Sequence, residues 1–200
     1  MHAEAVDKFS GTGIQISKEG REYLGSAIGG QEFTSDLVRA KVNAWTNEVK
    51  KLSKYATSQP HAAYSAFTHG LSSKWKYLMR TTNTHCSFFQ PLEDAIRYHF
   101  LSAITGKRAF SDTERAPLAL PVRLGGLGIE IPTSLPSSQY SISMSITAPL
   151  TNQILQQSDA LLPGTKAAQA EVKARVLSDI RKTQSEQVDD IRSQLPSLSH

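Results

Sequence analysis

Apolar residues recur at spacings of three and four through most of the chain, and this period predicts helices. Val38, Val42, Trp45, Val49, Leu52 and Ala56 form one such face. Thr34-Ser35 offers hydroxyls to free backbone N–H groups and Asp36 suits the positive end of a helix dipole, so a first long helix is predicted to start there. Gln59-Pro60 breaks it and opens a second helix along Tyr64, Phe67, Leu71, Trp75 and Leu78. The connection is short, which predicts an antiparallel pair. A third helix opens at Pro91, turns Leu92, Ile96, Phe100 and Ile104 inward and ends at Gly106. Ser111-Asp112-Thr113-Glu114 has capping-box spacing for a short fourth helix, which Pro121 should stop.

Two stretches alternate instead. Over residues 13–30, Ile14 and Ile16 alternate with polar neighbours, Lys18-Glu19-Gly20 has the composition of a turn, and Tyr23-Leu24 to Ile28 reads as the returning strand. A lone hairpin is marginal in water, so this one should pack on the helices or on a sheet outside this chain. Leu127, Ile129 and Ile131 read as a short strand limited by Pro132. Between these features lies Leu118-Ala119-Leu120-Pro121-Val122-Arg123-Leu124-Gly125-Gly126-Leu127-Gly128-Ile129, whose three glycines among bulky apolar residues predict a tight, core-packed loop. It is no phosphate loop: Ile129-Glu130 follows where a Walker loop needs Lys-Ser/Thr, and the wider G-x-G-x-x-G spacing is missing.

Beyond the loop the composition turns to Ser, Thr and Gln, with Tyr140, Ile142, Met144, Ile146 and Leu150 as apolar anchors on a helix predicted from Ser137 and interrupted at Pro149. Pro163-Gly164 sets off a charged segment in which Ala168, Val172, Val176, Ile180, Val188, Ile191 and Leu195 form a narrow stripe with a gap at Gln184. That pattern predicts a long helix docked weakly or pairing with another chain. The fold expected is mainly α, a helical bundle with an N-terminal β-hairpin and a long C-terminal helix. Its divisions are a hairpin at 1–30, a helical domain at 31–132 ending in the glycine loop, a connecting region at 133–163 and a charged tail at 164–200.

Charge alters this picture. The net charge over 200 residues is only +4, but the positive residues are clustered. Between positions 36 and 80, Arg39, Lys41, Lys50, Lys51, Lys54, Lys74, Lys76 and Arg80 face only Asp36 and Glu48, and such a local field favours an anionic partner, nucleic acid first. No apolar run is long enough to span a bilayer and Met1-His2-Ala3-Glu4 does not open a signal peptide, so no membrane association is expected. The single cysteine, Cys86, excludes an internal disulfide, and the expectation is an intracellular protein, without a choice between nucleus and cytoplasm.

Candidate chemistry is sparse. His61, His69, His85 and His99 with Cys86 lack the paired spacing of a zinc site. His85 beside Cys86 suggests a nucleophile and base, but adjacent residues seldom face each other. Asp189-Asp190 is the sole pair of consecutive aspartates, and on a helix such a pair diverges into water rather than converging on two metals.

Four strings together resemble a known family: Gly11-Thr12-Gly13-Ile14, Glu19-Gly20-Arg21-Glu22-Tyr23-Leu24-Gly25, Thr68-His69-Gly70-Leu71 and, above all, Leu120-Pro121-Val122-Arg123-Leu124-Gly125-Gly126-Leu127-Gly128-Ile129. They resemble the region after the catalytic palm in reverse transcriptases (RNA-directed DNA polymerases) of animal non-LTR, LINE-like retrotransposons. The resemblance covers residues 10–150. It implies that Tyr23, Leu24 and Gly25 correspond to the primer grip, and that the following helices correspond to the thumb. Arg39, Lys41, Lys50, Lys51, Lys54, Lys74, Lys76 and Arg80 would then meet the phosphates of an RNA–DNA or DNA duplex. The family's catalytic aspartates lie upstream of this hairpin, where the chain offers only Glu4 and Asp7. The chain is therefore expected to be a polymerase fragment without fingers or most of the palm, with no polymerisation of its own. It would hold no cofactor, although a full-length polymerase would use Mg. The missing palm and fingers would be its partners. An alternative is a helical interaction module that pairs through its C-terminal helix.

Overall fold

The computed structural model describes residues 2–14, 16–107, 110–157 and 163–194. As predicted, the fold is mainly α, with an antiparallel two-stranded hairpin near the N-terminus and a long C-terminal helix.

After a short helix α1 (His2–Lys8), the hairpin consists of β1 (Gly20–Tyr23) and β2 (Ser26–Gly29), with Arg21 opposite Ile28 and Tyr23 opposite Ser26. This corrects the predicted register. Lys18-Glu19-Gly20 is not the turn: Leu24 and Gly25 turn the chain, at φ 48° and 80°. Two consecutive positive φ values match the twist of paired strands. Sequence favours glycine there, and Leu24 adopts the left-handed region without that freedom. Ile14 lies outside both strands and is exposed.

Helix α2 (Gln31–Ala56) starts directly from β2, with Gly30 as its cap and no side-chain cap bond, rather than at Thr34-Ser35. Gly30 N–H donates to Glu19 O at 2.8 Å, and Thr34 N–H already donates to Gly30 O at 3.0 Å. The Phe33 ring packs on Gly20, and a Cβ there would lie 2.5 Å from Phe33 Cδ1. That contact requires the helix to begin before the predicted caps.

Helices α3 (Pro60–Ala66) and α4 (Ser72–Thr81) run on through a π turn at Phe67–Leu71. Helices α5 (Gln90–Ala95) and α6 (Leu101–Thr105) do the same through a π turn at Ile96–Phe100, ending at Gly106 in the αL region. Phe67 and Phe100, one from each π turn, stack with centroids 4.5 Å apart. Phe67 also meets Trp75, and Trp75 meets Trp45. Around these rings close Val38, Val42, Val49, Leu78, Leu92, Ile96 and Leu101, at most 1% exposed. Each such side chain contributes about 1.5–3 kcal/mol of burial, and α2 packs against α3 and the π turn that follows it.

The capping box is present: Ser111 accepts from Glu114 N–H at 3.3 Å and Glu114 accepts from Ser111 N–H at 2.9 Å, opening α7 (Asp112–Ala119). The glycine string then folds back. Leu127 N–H and Ile129 N–H both donate to Leu118 O at 3.2 Å, and Gly128 N–H donates to Leu120 O at 2.8 Å. The predicted strand at Leu127, Ile129 and Ile131 is therefore not formed, because its donors are taken by the end of α7 rather than by a neighbouring strand. Gly126 allows the fold-back: a Cβ there would lie 2.1 Å from Leu120 O. Ile129 is fully buried in the core, as expected of a core-packed loop.

Arg115 fastens this loop. Its guanidinium donates to Glu93 Oε1 at 2.8 Å and Oε2 at 3.1 Å, to Ile129 O at 2.7 Å and to Glu130 O at 3.1 Å, with the Arg115 and Glu93 side chains only 2% and 7% exposed. A buried charge pair is tolerable only with such complete bonding.

Helix α8 (Pro136–Leu155) is not interrupted at Pro149. It lies between α4 and α9 (Pro163–Gln194), and packing on both sides sustains a helix whose proline removes one backbone bond. Helix α9 also touches α7. Its stripe residues Val172, Val176, Ile180, Val188 and Ile191 are only half-buried, and Leu195 lies outside the described residues.

Candidate nucleic-acid interface

The hairpin tip, α2 and α4 enclose an open cleft of about 700 Å³ lined by Leu24, Gly25, Lys41, Trp45, Ser73, Lys74, Lys76, Tyr77 and Arg80. Helical spacing produces the lining. Lys41 and Trp45 lie four apart on α2; Ser73, Tyr77 and Arg80 lie four and three apart on α4, with Lys74 and Lys76 flanking them. Trp45 is 8% exposed and connects the cleft floor to the aromatic core.

Three contacts hold the hairpin over this surface. Tyr77 donates its hydroxyl to Leu24 O at 2.7 Å, Ser26 and Thr82 share a hydroxyl bond at 2.9 Å, and Lys41 bonds Glu22 of β1 at 2.7 Å. The hairpin therefore packs on the helices of its own chain, and Tyr77 bonds the very carbonyl of the strained turn residue. The hairpin still exposes Tyr23, Leu24 and Ile28.

The predicted cations separate into two sets. Lys41, Lys74, Lys76 and Arg80 converge on the cleft. Lys50, Lys51 and Lys54 are exposed further along α2, about 14–20 Å from Lys41 at 1.5 Å per residue. Arg39 lies on another side of α2, stacked over the Phe88 ring at 5.2 Å and 3.5 Å from Asp36. The eight cations thus do not form one continuous face: of the five on α2 only Lys41 joins the three from α4 at the cleft, and Arg39, Lys50, Lys51 and Lys54 lie outside it.

Within the cleft the cations are partnered. Lys41 pairs with Glu22, Lys74 with Glu48 at 2.6 Å and Lys76 with Glu130, whereas Arg80 donates to the neutral amide of Gln139 at 3.0 Å. Tyr77, Ser73 and Trp45 are cleft residues that a search for charge passes over. An aromatic on the basic face, Tyr77 between Lys74 and Arg80, was the available signal.

The remaining candidates do not converge. His61, His69, His85 and His99 are exposed. His85 Nδ1 accepts from Ser87 N–H at 3.3 Å, capping a 3₁₀ turn at Cys86–Phe89, and lies 3.9 Å from Cys86 Sγ. Asp189 and Asp190 are exposed on α9. Among the described residues no group of three or more His, Cys, Asp or Glu could hold a metal ion, and no helix is long and apolar enough to cross a membrane. Comparison of the chain with protein-family models, curated proteins and solved structures finds no match.

Proposed function

We propose that the chain is a post-palm fragment of a reverse transcriptase of the non-LTR retrotransposon kind, and that its own activity is binding the phosphate backbone of a template–primer duplex. The observation that carries this reading is the cleft, in which the Leu24-Gly25 turn overhangs Lys41, Lys74, Lys76 and Arg80. A hairpin tip beside a row of cations and one exposed aromatic suits a strand backbone: the cations neutralise phosphates and Tyr77 offers a ring to a base or sugar. Such binding is independent of sequence, and the palm and fingers of the parent polymerase would supply the catalytic carboxylates and Mg.

The test is binding of an RNA–DNA hybrid across a salt series, beside two variants. Changing Lys41, Lys74, Lys76 and Arg80 to Gln should weaken binding at least tenfold and flatten the dependence of log affinity on log salt by about 0.9 for each phosphate no longer neutralised. Changing Lys50, Lys51 and Lys54 to Gln should do much less. Equal losses from both would mean diffuse attraction rather than a cleft, and no binding by the folded wild-type chain would end the proposal.

A second reading, pairing of the C-terminal helix with another chain, is supported by the half-exposed stripe of α9. It predicts a mass in solution that rises with concentration and falls back when Val176, Ile180 and Val188 are changed to Ser.

A further inference from the structure

Three of the four cleft cations already hold a carboxylate. Glu22 from the hairpin meets Lys41, Glu48 from α2 meets Lys74, and Glu130 beyond the glycine loop meets Lys76. None of these glutamates is among the residues that line the cleft. Four positive side chains against three carboxylates leave a net charge of one, and that charge resides on Arg80, whose side-chain partner is the neutral Gln139. Phosphates entering the cleft must compete with these carboxylates for the lysines.

The pairs are partly exposed, with side-chain exposures between 24% and 49%. The pairs of Lys41 and Lys74 are of the weak, exchangeable kind; Glu130 Oε2, which meets Lys76, is itself shielded from water, so that pair is the hardest to displace. They can yield to phosphates that arrive together on one backbone, at a cost in affinity for each pair broken.

We infer that Glu22, Glu48 and Glu130 are built-in competitors that hold down the affinity of the cleft for a phosphodiester backbone, and that Arg80 is the anchoring cation of the unliganded state. The inference rests on the reading of the cleft as a polyanion site. It assigns a regulatory role to acidic residues that come from three separate elements, and it makes affinity depend on the hairpin, since Glu22 leaves Lys41 whenever the hairpin lifts.

The experiment compares the full chain with the triple variant E22Q/E48Q/E130Q and with a control, E171Q/D179N/E186Q, which changes the net charge equally at exposed positions of α9. The probe is a labelled RNA–DNA hybrid read by fluorescence anisotropy across a salt series, with circular dichroism confirming that each variant is folded. The cleft variant should bind about tenfold tighter than wild type, from two- to threefold per carboxylate. Its salt slope should be steeper by up to about 0.9 for each lysine released. The α9 control should tighten binding no more than about twofold.

In the wild-type background Arg80→Gln should weaken binding more than Lys74→Gln, and in the cleft variant the two losses should become similar, which a double-mutant cycle measures directly. Tight binding only by the cleft variant also supports the inference. Wild-type binding that the cleft variant leaves unchanged, or that the α9 control strengthens equally, overturns it while leaving the nucleic-acid reading in place. Absence of binding by wild type and by the cleft variant overturns both.

Discussion

The helical body from α2 to the glycine loop and the α8–α9 pair are both built of helices, yet they are held in different ways. The body encloses a continuous core whose Val38, Phe89, Leu92, Ile96, Phe100 and Ile129 are fully buried. Helices α8 and α9 bury, among the described residues, only Pro136, Gln153 and Thr165, the last two joined by a hydroxyl-to-amide bond of 3.0 Å. A wide apolar face closes around its neighbours and excludes water; a stripe one residue wide can only lie along a surface. Helical length therefore says little about how firmly a helix belongs to its fold.

The comparison is broken most severely at Arg115. Arg115→Ala leaves Glu93 buried without its partner and frees two loop carbonyls, and should destabilise the body by about 3–5 kcal/mol in urea titrations. E93L/R115L should recover part of that loss. An Arg115→Ala chain as stable as wild type would mean that the glycine loop is not fastened by this pair.

Truncating one isoleucine in each region measures the difference itself. Ile96→Ala should cost about 2–5 kcal/mol, whereas Ile180→Ala on α9 should cost at most about 1 kcal/mol, both read from denaturant midpoints. Equal costs would show that α9 belongs to the same cooperative unit as the core.

The hairpin offers a smaller effect of opposite sign. Leu24 is 75% exposed at φ 48°, so Leu24→Gly relieves a left-handed conformation while losing little packing. A net gain of about 0.5–1 kcal/mol, again read from the denaturant midpoint, is expected after the entropy of the added glycine is subtracted.

The finest probe is acid. Lys107, together with the N–H and hydroxyl of Ser111, lowers the Glu114 carboxyl to about 2 from 4.5. A lowered carboxylate stabilises the fold fully above its unfolded value, so the advantage of wild type over Glu114→Gln should hold above pH 4.5 and vanish as pH falls toward 2. A difference that persists at about pH 2 would assign the cap to hydrogen bonding without charge.

Much of the body was legible because its signals are local and agree with one another. The apolar spacing of Val38 to Ala56, the opening prolines at Pro60 and Pro91, Gly106 at a helix end and the Ser111–Glu114 box each name an element, and the structure has all of them. The hairpin register was not legible, because a leucine in the left-handed region carries no sequence signal. Nor was the fate of Leu127 to Ile131, whose alternation is the same whether the backbone pairs with a strand or folds onto a helix end. Of the eight candidate cations, four share the cleft and four do not, since a basic run on a helix points in every direction until a neighbouring helix selects one face.

The sequence alone therefore determined the helical class, the helix ends marked by Pro60, Pro91, Gly106 and the Ser111–Glu114 box, and the basic excess between Arg39 and Arg80. These depend on interactions within a few residues of one another. Only the tertiary structure decided that Arg115 clasps the glycine loop, that Tyr77 holds the hairpin tip over Lys41, Lys74, Lys76 and Arg80, and that three glutamates from distant segments already occupy those lysines. Each depends on groups 14 to 54 positions apart in the chain, from Arg115 with Ile129 to Lys76 with Glu130, and such distances close only when the core forms.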